Sequence, residues 1–140
     1  MGLILDSSML TSAGRQGQNA RQMLTTISVF TGDTDTALSV ITLLELAHGA
    51  ARADTRARKS SREQFIQELL TGLPIHPITV AIALRAGQID GESQARGVRL
   101  PLSDLLIEVT ALELGYAVMT ANLRHFQMIP GLSVVSPTPS

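Results

Sequence analysis

Apolar residues at positions 20, 23, 24, 27 and 30 recur with a helical period and predict a helix over 16–30. Short apolar runs stand at 2–5, 37–41, 73–76, 116–120 and 132–135, each of a length that suits a buried strand. The first run ends at Asp6, after which Ser8 reads as the N-cap of a short turn. A loop fills 31–36. Further helices are predicted over 42–53, carrying Glu45 and His48, and over 56–70, polar-faced and stopped by Gly72. A helix over 79–95 is weakened at Gly87 and Gly91. Another runs over 101–114, opened by Pro101 and ended by Gly115. A turn follows at 122–126. Strands alternating with helices predict an α/β domain, with a short twisted parallel sheet of about five strands and helices on both faces. One domain over 1–135 is expected, with a frayed tail at 136–140.

Composition narrows the class. The chain has 140 residues, enough for one domain with its own core. A hydrophobic fraction of 44% with only 3% aromatics makes that core aliphatic. With no cysteine, disulfides and thiolate metal sites are excluded, and a reducing compartment is compatible with the composition; the expected location is cytoplasmic. The start Met1-Gly2-Leu3-Ile4-Leu5-Asp6 lacks the basic lead and long apolar segment of a signal peptide. No apolar stretch approaches the ~20 residues of a membrane span. The net charge of −1 gives no global pull on nucleic acid. A polyanion would need a local patch, and Arg52, Arg56, Arg58, Lys59 and Arg62 supply one.

Ligands bind at the carboxyl ends of strands in such sheets. Asp6 ends the first strand, Glu45 stands in the first turns after the second, Asp104 opens a helix, and Asn122 follows the fourth strand. The helix after Asp104 is apolar at 105, 106, 107, 109, 111, 112 and 114, yet Asp104 and Glu108 share one face of it. That stripe is either exposed or turned towards a cationic site. Taken singly, Asp104 reads as a helix cap and Glu108 as a surface or salt-bridge residue. Converging carboxylates repel, by about 4 kcal/mol per pair at ~4 Å and an effective dielectric of ~20. Such a cluster needs cations or retained protons. Oxygen donors without thiolates select Mg²⁺ or Mn²⁺, ions suited to phosphodiester hydrolysis.

Four motifs then resemble one family. Leu3-Ile4-Leu5-Asp6-Ser7-Ser8 resembles the opening of PIN domains, and Ile41-Thr42-Leu43-Leu44-Glu45-Leu46 their second acidic motif. Leu100-Pro101-Leu102-Ser103-Asp104-Leu105-Leu106-Ile107 resembles the third. Met119-Thr120-Ala121-Asn122-Leu123-Arg124-His125-Phe126, followed by Ile129-Pro130-Gly131-Leu132, resembles the fourth. No motif is specific alone; the ordered set is, and it covers nearly the whole chain. The most similar subgroup is the VapC-type toxins of toxin–antitoxin pairs. The resemblance implies a PIN-like fold and a Mg²⁺- or Mn²⁺-dependent endoribonuclease that cuts cellular RNA; the sequence does not identify the RNA, and the resemblance favours transfer RNA over ribosomal RNA. It also implies a cognate antitoxin and a homodimer. Asp6, Glu45 and Asp104 carry over as ligands, and the expected mechanism has Asp6 and Asp104 hold the principal ion. In it Glu45 is a ligand directly or through water. Asn122 and Thr120 carry over as a polar pair near metal and water, with Ser8 in support. Arg52 and Arg124 become candidate phosphate contacts. Two positions depart from the subgroup: His125 stands where an acid is frequent, and Glu108 where a small residue is usual. Glu108 is thus a candidate replacement carboxylate. The charge pattern does not decide between one ion and two.

Other readings are weaker. An aspartyl-phosphate enzyme wants a second acid two residues after Asp6, and Ser8 stands there. A receiver domain wants a late lysine, and the single lysine is Lys59. Glu45-x-x-His48 matches a di-iron spacing, but one copy does not make that site. His48 is therefore read as a rim residue. His76 reads as structural, Asp33 and Asp35 as a solvated turn, and Gly14-Arg15-Gln16-Gly17 lacks the lysine of a phosphate loop. Phe30, Phe65, Tyr116 and Phe126 are too few for base stacking, so backbone and shape recognition of a folded RNA is expected. The alternative from another class is a catalytically inactive PIN-like module that binds a protein partner.

Overall fold

Five parallel strands form the sheet: β1 (Gly2–Leu5), β2 (Asp35–Ser39), β3 (Ile75–His76), β4 (Ala117–Met119) and β5 (Val134–Val135). Their order is β3-β2-β1-β4-β5. The computed structural model describes residues 2–15, 17–32, 34–126 and 129–136, with every side chain except those of Arg15, Phe30, Arg124 and His125. The strand β1 takes the centre because it is apolar on both faces and wholly buried. Its first residue must be small. A Cβ on Gly2 would fall 2.5 Å from the Tyr116 ring. The chain leaves β1 towards β2 and β3, then returns to β4 on the other side. The topological switch point therefore lies between the carboxyl ends of β1 and β4, where such sheets open a crevice.

Around the sheet stand α1 (Ser7–Arg15), α2 (Ala20–Thr31), α3 (Val40–Ala51), α4 (Arg56–Gly72), α5 (Val80–Ala95), α6 (Leu102–Leu114) and the single-turn α7 (Leu123–Phe126). One face packs Leu3, Leu5, Leu38 and Met119 against Met9 and Leu10 of α1, Met23 and Ile27 of α2, and Leu69 of α4. The other face packs Ile4, Ala37 and Val118 against Ile107 and Ala111 of α6 and Phe126 of α7. Leu105 and Val109, on a second side of α6, pack on Ile82 and Ala86 of α5. Helices thus cover both faces, as the alternating pattern predicts. No helix among the described residues is long and apolar enough to cross a membrane.

Boundaries differ where polar caps outweigh apolar periodicity. The second helix begins at Ala20, not 16, because Asn19 and Gln22 close a reciprocal capping box; Gln16 itself lies outside the described residues. The second strand ends at Ser39, whose hydroxyl caps Ile41, so the β-branched Val40 and Ile41 open α3 instead of closing a strand. Asp6, not Ser8, caps α1: its carboxylate accepts from the Ser8 amide. Gly87 and Gly91 interrupt nothing in α5. The segment at 122–126, expected as a turn, contains α7. Of the tail at 136–140, only Ser136 lies within the described residues.

Candidate active site

Asp6 follows directly on β1, and its amide extends the ladder to the Met119 carbonyl at 2.9 Å. The residue is 3% exposed. Its two carboxylate oxygens differ. Oδ2 accepts from the Ser8 hydroxyl at 2.6 Å, the Thr120 hydroxyl at 2.9 Å and the Ser8 amide at 3.3 Å. Oδ1 is buried and has no hydrogen-bond partner among the described residues. Ser8 and Thr120 are themselves held: Ser8 Oγ accepts from the Ala121 amide at 3.1 Å, and Thr120 Oγ1 from the Asn122 amide at 2.9 Å. Each hydroxyl has one proton, spent on Asp6, so their mutual 3.2 Å approach brings no further proton.

A cleft of about 430 Å³ opens here, lined by Asp6, Ser7, Ser8, Asp104, Asn122 and Phe126, with Thr11, Ser12 and Ala121. Asp6, Asp104 and Asn122, distant in sequence, thus reach one concavity. Glu45, half-buried on α3, lies in the same field. Desolvation raises its carboxyl above the usual range, and the charges of Asp104 and Asp6 add to this. The hydroxyls of Ser7 and Ser103 pull the other way. Glu45 Oε1 is buried without a partner among the described residues.

Glu108 is 2% exposed, so the surface reading of this residue is wrong. It takes part in no salt bridge among the described residues, and its Oε2 is also buried without a partner. Burial pushes its carboxyl up to about 8, with Asp104 and then Asp6 adding repulsion. The stripe shared by Asp104 and Glu108 is therefore turned inwards.

These groups fit a hard cation. Asp6, Glu45 and Glu108 each keep a buried oxygen that no donor among the described residues reaches, and all the groups that could bind a cation are oxygens. They form a shared field more than a finished shell: among the described residues no three acidic or imidazole side chains are gathered closely enough to hold one ion.

Sequence reasoning missed three hydroxyls. Ser7 and Ser103 flank Glu45, and Thr42, one turn before it on α3, has a fully buried hydroxyl without a partner among the described residues. The signal was a hydroxyl residue beside or one turn from each acid. Other expected residues stay apart. Arg52 is the exposed C-cap of α3, two turns beyond Glu45 or about 10 Å along the axis. His48 is exposed. His76 meets Tyr116 edge-on with centroids 6.3 Å apart, a packing role. The side chains of His125 and Arg124, and all of Asp33, lie outside the described residues. The basic patch is partly engaged: Arg58 pairs with Asp54 at 2.7 Å, and Arg62 donates to the Gly49 carbonyl at 2.7 Å.

The family model for the PIN domain matches residues 3–131. The chain belongs to the PIN domain family, in its VapC branch. It is 25% identical over 136 residues to Ribonuclease VapC1 of Rickettsia felis, covering 97% of this chain and 96% of that one. It is 30% identical over 97 residues to the tRNA(fMet)-specific endonuclease VapC of Salmonella typhimurium, covering 69% of this chain and 71% of that one. The crystal structure of VapBC2 from Rickettsia felis, bound to a DNA fragment from its promoter, superposes with a TM-score of 0.82 at 20% identity. That match covers 97% of this chain and 98% of that one. The PIN fold expected from the four motifs is the fold observed.

Proposed function

We propose that this PIN domain is a Mg²⁺- or Mn²⁺-dependent endoribonuclease, the toxin of a type II toxin–antitoxin pair. Its proposed substrate is cellular RNA, with transfer RNA as the first candidate. The observation that carries the reading is the pairing of Asp6, with its donor-free buried Oδ1, and Asp104 on one cleft at the switch point of the sheet. Asp6 and Asp104 would hold the principal ion, and Glu45 would hold it directly or through water. When bound, such an ion lowers the pKa of water and neutralises charge on the scissile phosphate.

The protein's own part is positional. Three donors clamp Oδ2 of Asp6 and so fix where Oδ1 stands. Thr120 and Asn122 orient water or a carboxylate at the cleft. Arg52, Arg56 and Lys59, exposed on α3 and α4, contact the RNA backbone. The antitoxin and a homodimeric assembly follow from the toxin subgroup that the motifs resemble. A non-catalytic docking module has no use for carboxylates buried together at such cost.

Mapping RNA ends in cells that express the wild type or Asp6→Asn tests the activity. New ends should appear with the wild type alone. Identical end patterns from both proteins would overturn the nuclease reading.

A further inference from the structure

Glu108 sits in the middle of α6, 2% exposed, with no donor on Oε2 among the described residues. Nothing in the helix accounts for it. It caps no helix end, and no salt bridge among the described residues contains it. A buried carboxylate without a partner is costly, and an apolar residue of similar volume would remove that cost.

The geometry of α6 fixes the company it keeps. Ile107 and Ala111 face the sheet, while Leu105 and Val109 face α5. At about 100° per residue, Asp104 and Glu108 occupy the sector between those two apolar sides. Their carboxylates are one turn apart on a shared stripe. The charges that Glu108 meets are Asp104 and Asp6, both negative. Among the described residues no basic group compensates Glu108, and the charges it meets are those of other acids. A ligand that lowers the energy of all three at once is a cation, and oxygen donors select a hard divalent one.

We propose that Glu108 is a further metal-holding carboxylate: presented by α6 one turn after Asp104, it joins Asp6 and Asp104 around a divalent cation of the magnesium or manganese class. This rests on the metal-dependent reading of the site, and adds to it a ligand that the four sequence motifs do not supply. Because the carboxylates are not already gathered into a shell, the ion must draw them together, and each carboxylate removed should weaken its binding.

The test is calorimetric titration of Mn²⁺ into the wild type, Glu108→Gln, Glu108→Asp and Glu92→Gln, with melting temperatures of each protein with and without Mn²⁺. Glu92 is exposed on α5 and controls for the loss of one remote charge. Glu108→Gln should weaken Mn²⁺ at least tenfold and shrink the Mn²⁺-induced melting shift, while its metal-free form melts no lower than the wild type. Glu108→Asp keeps the charge but draws the carboxylate back by one methylene, so it should weaken Mn²⁺ as well. A purely packing role predicts lower melting temperatures with unchanged Mn²⁺ affinity, and that outcome overturns the proposal. If Glu108→Gln and Glu108→Asp both bind Mn²⁺ as the wild type does, Glu108 is no ligand and the metal site stands without it. If the wild type binds no Mn²⁺, the metal-dependent reading fails and takes this inference with it.

Discussion

Thr120 donates its hydroxyl proton to Oδ2 of Asp6 at 2.9 Å, across 114 positions of sequence. The bond ties the end of β4 to the end of β1, on either side of the switch point. It also breaks the symmetry of the carboxylate: among the described residues Oδ2 collects three donors while Oδ1 has none. Thr120→Val keeps the shape and removes the hydroxyl. It takes one donor from a charged acceptor and strands the Asn122 amide. Hydrogen bonds to charged groups contribute ~1.5–3 kcal/mol, so urea unfolding should show a loss of that order. RNA cleavage, measured well below the melting transition, should fall as well because Asp6 is less firmly aimed. Thr120→Ser, which retains the proton, should restore both. A Val variant with wild-type stability and cleavage would remove Thr120 from the site.

Asp6→Asn separates charge from shape. The Asn side-chain oxygen can still accept from Ser8 and Thr120, so the strand end should hold. The negative charge leaves a field that also contains Glu45 and Glu108. Cleavage should be abolished, and the metal-free variant should melt at or above the wild-type temperature. Added Mn²⁺ should raise its melting temperature less than it raises the wild type's. A metal-free variant that melts far lower would mean that the Asp6 charge stabilises the fold, against the repulsive field inferred for the site.

The parallel α/β order was legible because each strand is a short apolar run between polar stops. Asp6 at the end of the wholly buried β1 could be placed from sequence for that reason. The start of α2 could not, since Asn19 and Gln22 hold it by reciprocal hydrogen bonds that leave no mark in the apolar period. Val40 and Ile41 read as strand by their branching, yet the Ser39 cap and the packing of Ile41 on the sheet make them helix. At the site, residue types were visible but depth was not. Glu108 is buried because α6 packs on two sides at once, and a single helical wheel does not show the second partner. Arg62 looked free for RNA until the fold placed the Gly49 carbonyl beside it.

The basic patch yields a salt test. Arg58 is paired with Asp54 and Arg62 is bonded to Gly49, whereas Arg56 and Lys59 are exposed on the first turn of α4. If Arg56 and Lys59 neutralise RNA phosphates, changing both to Ala should weaken binding of a catalytically dead variant roughly equally across RNA sequences. The slope of log affinity against log salt should become shallower by roughly 0.7–0.9 for each phosphate that the protein no longer neutralises. Filter binding at several salt concentrations measures it. An unchanged slope would make the patch an ordinary solvated helix face.

Stability should also depend on pH. Glu108 is pushed from 4.5 in the unfolded chain up to about 8 in the fold. Between those values the unfolded chain has released a proton that the folded chain still holds. The contribution of Glu108 to the stability of the metal-free protein therefore falls as pH rises through that window, by at most ~1.4 kcal/mol per pH unit, and then levels off. Glu45 is shifted in the same direction and adds to the fall. Urea midpoints in a chelating buffer at pH 5, 7 and 9 should decline in that order, and Glu108→Gln should flatten most of the decline. A metal-free wild type whose stability holds or rises from pH 5 to 9 would contradict the buried neutral acid. Saturating Mn²⁺ should oppose the trend. Binding requires deprotonated carboxylates, so the stabilisation that the ion confers grows with pH over the range in which the metal-free fold weakens.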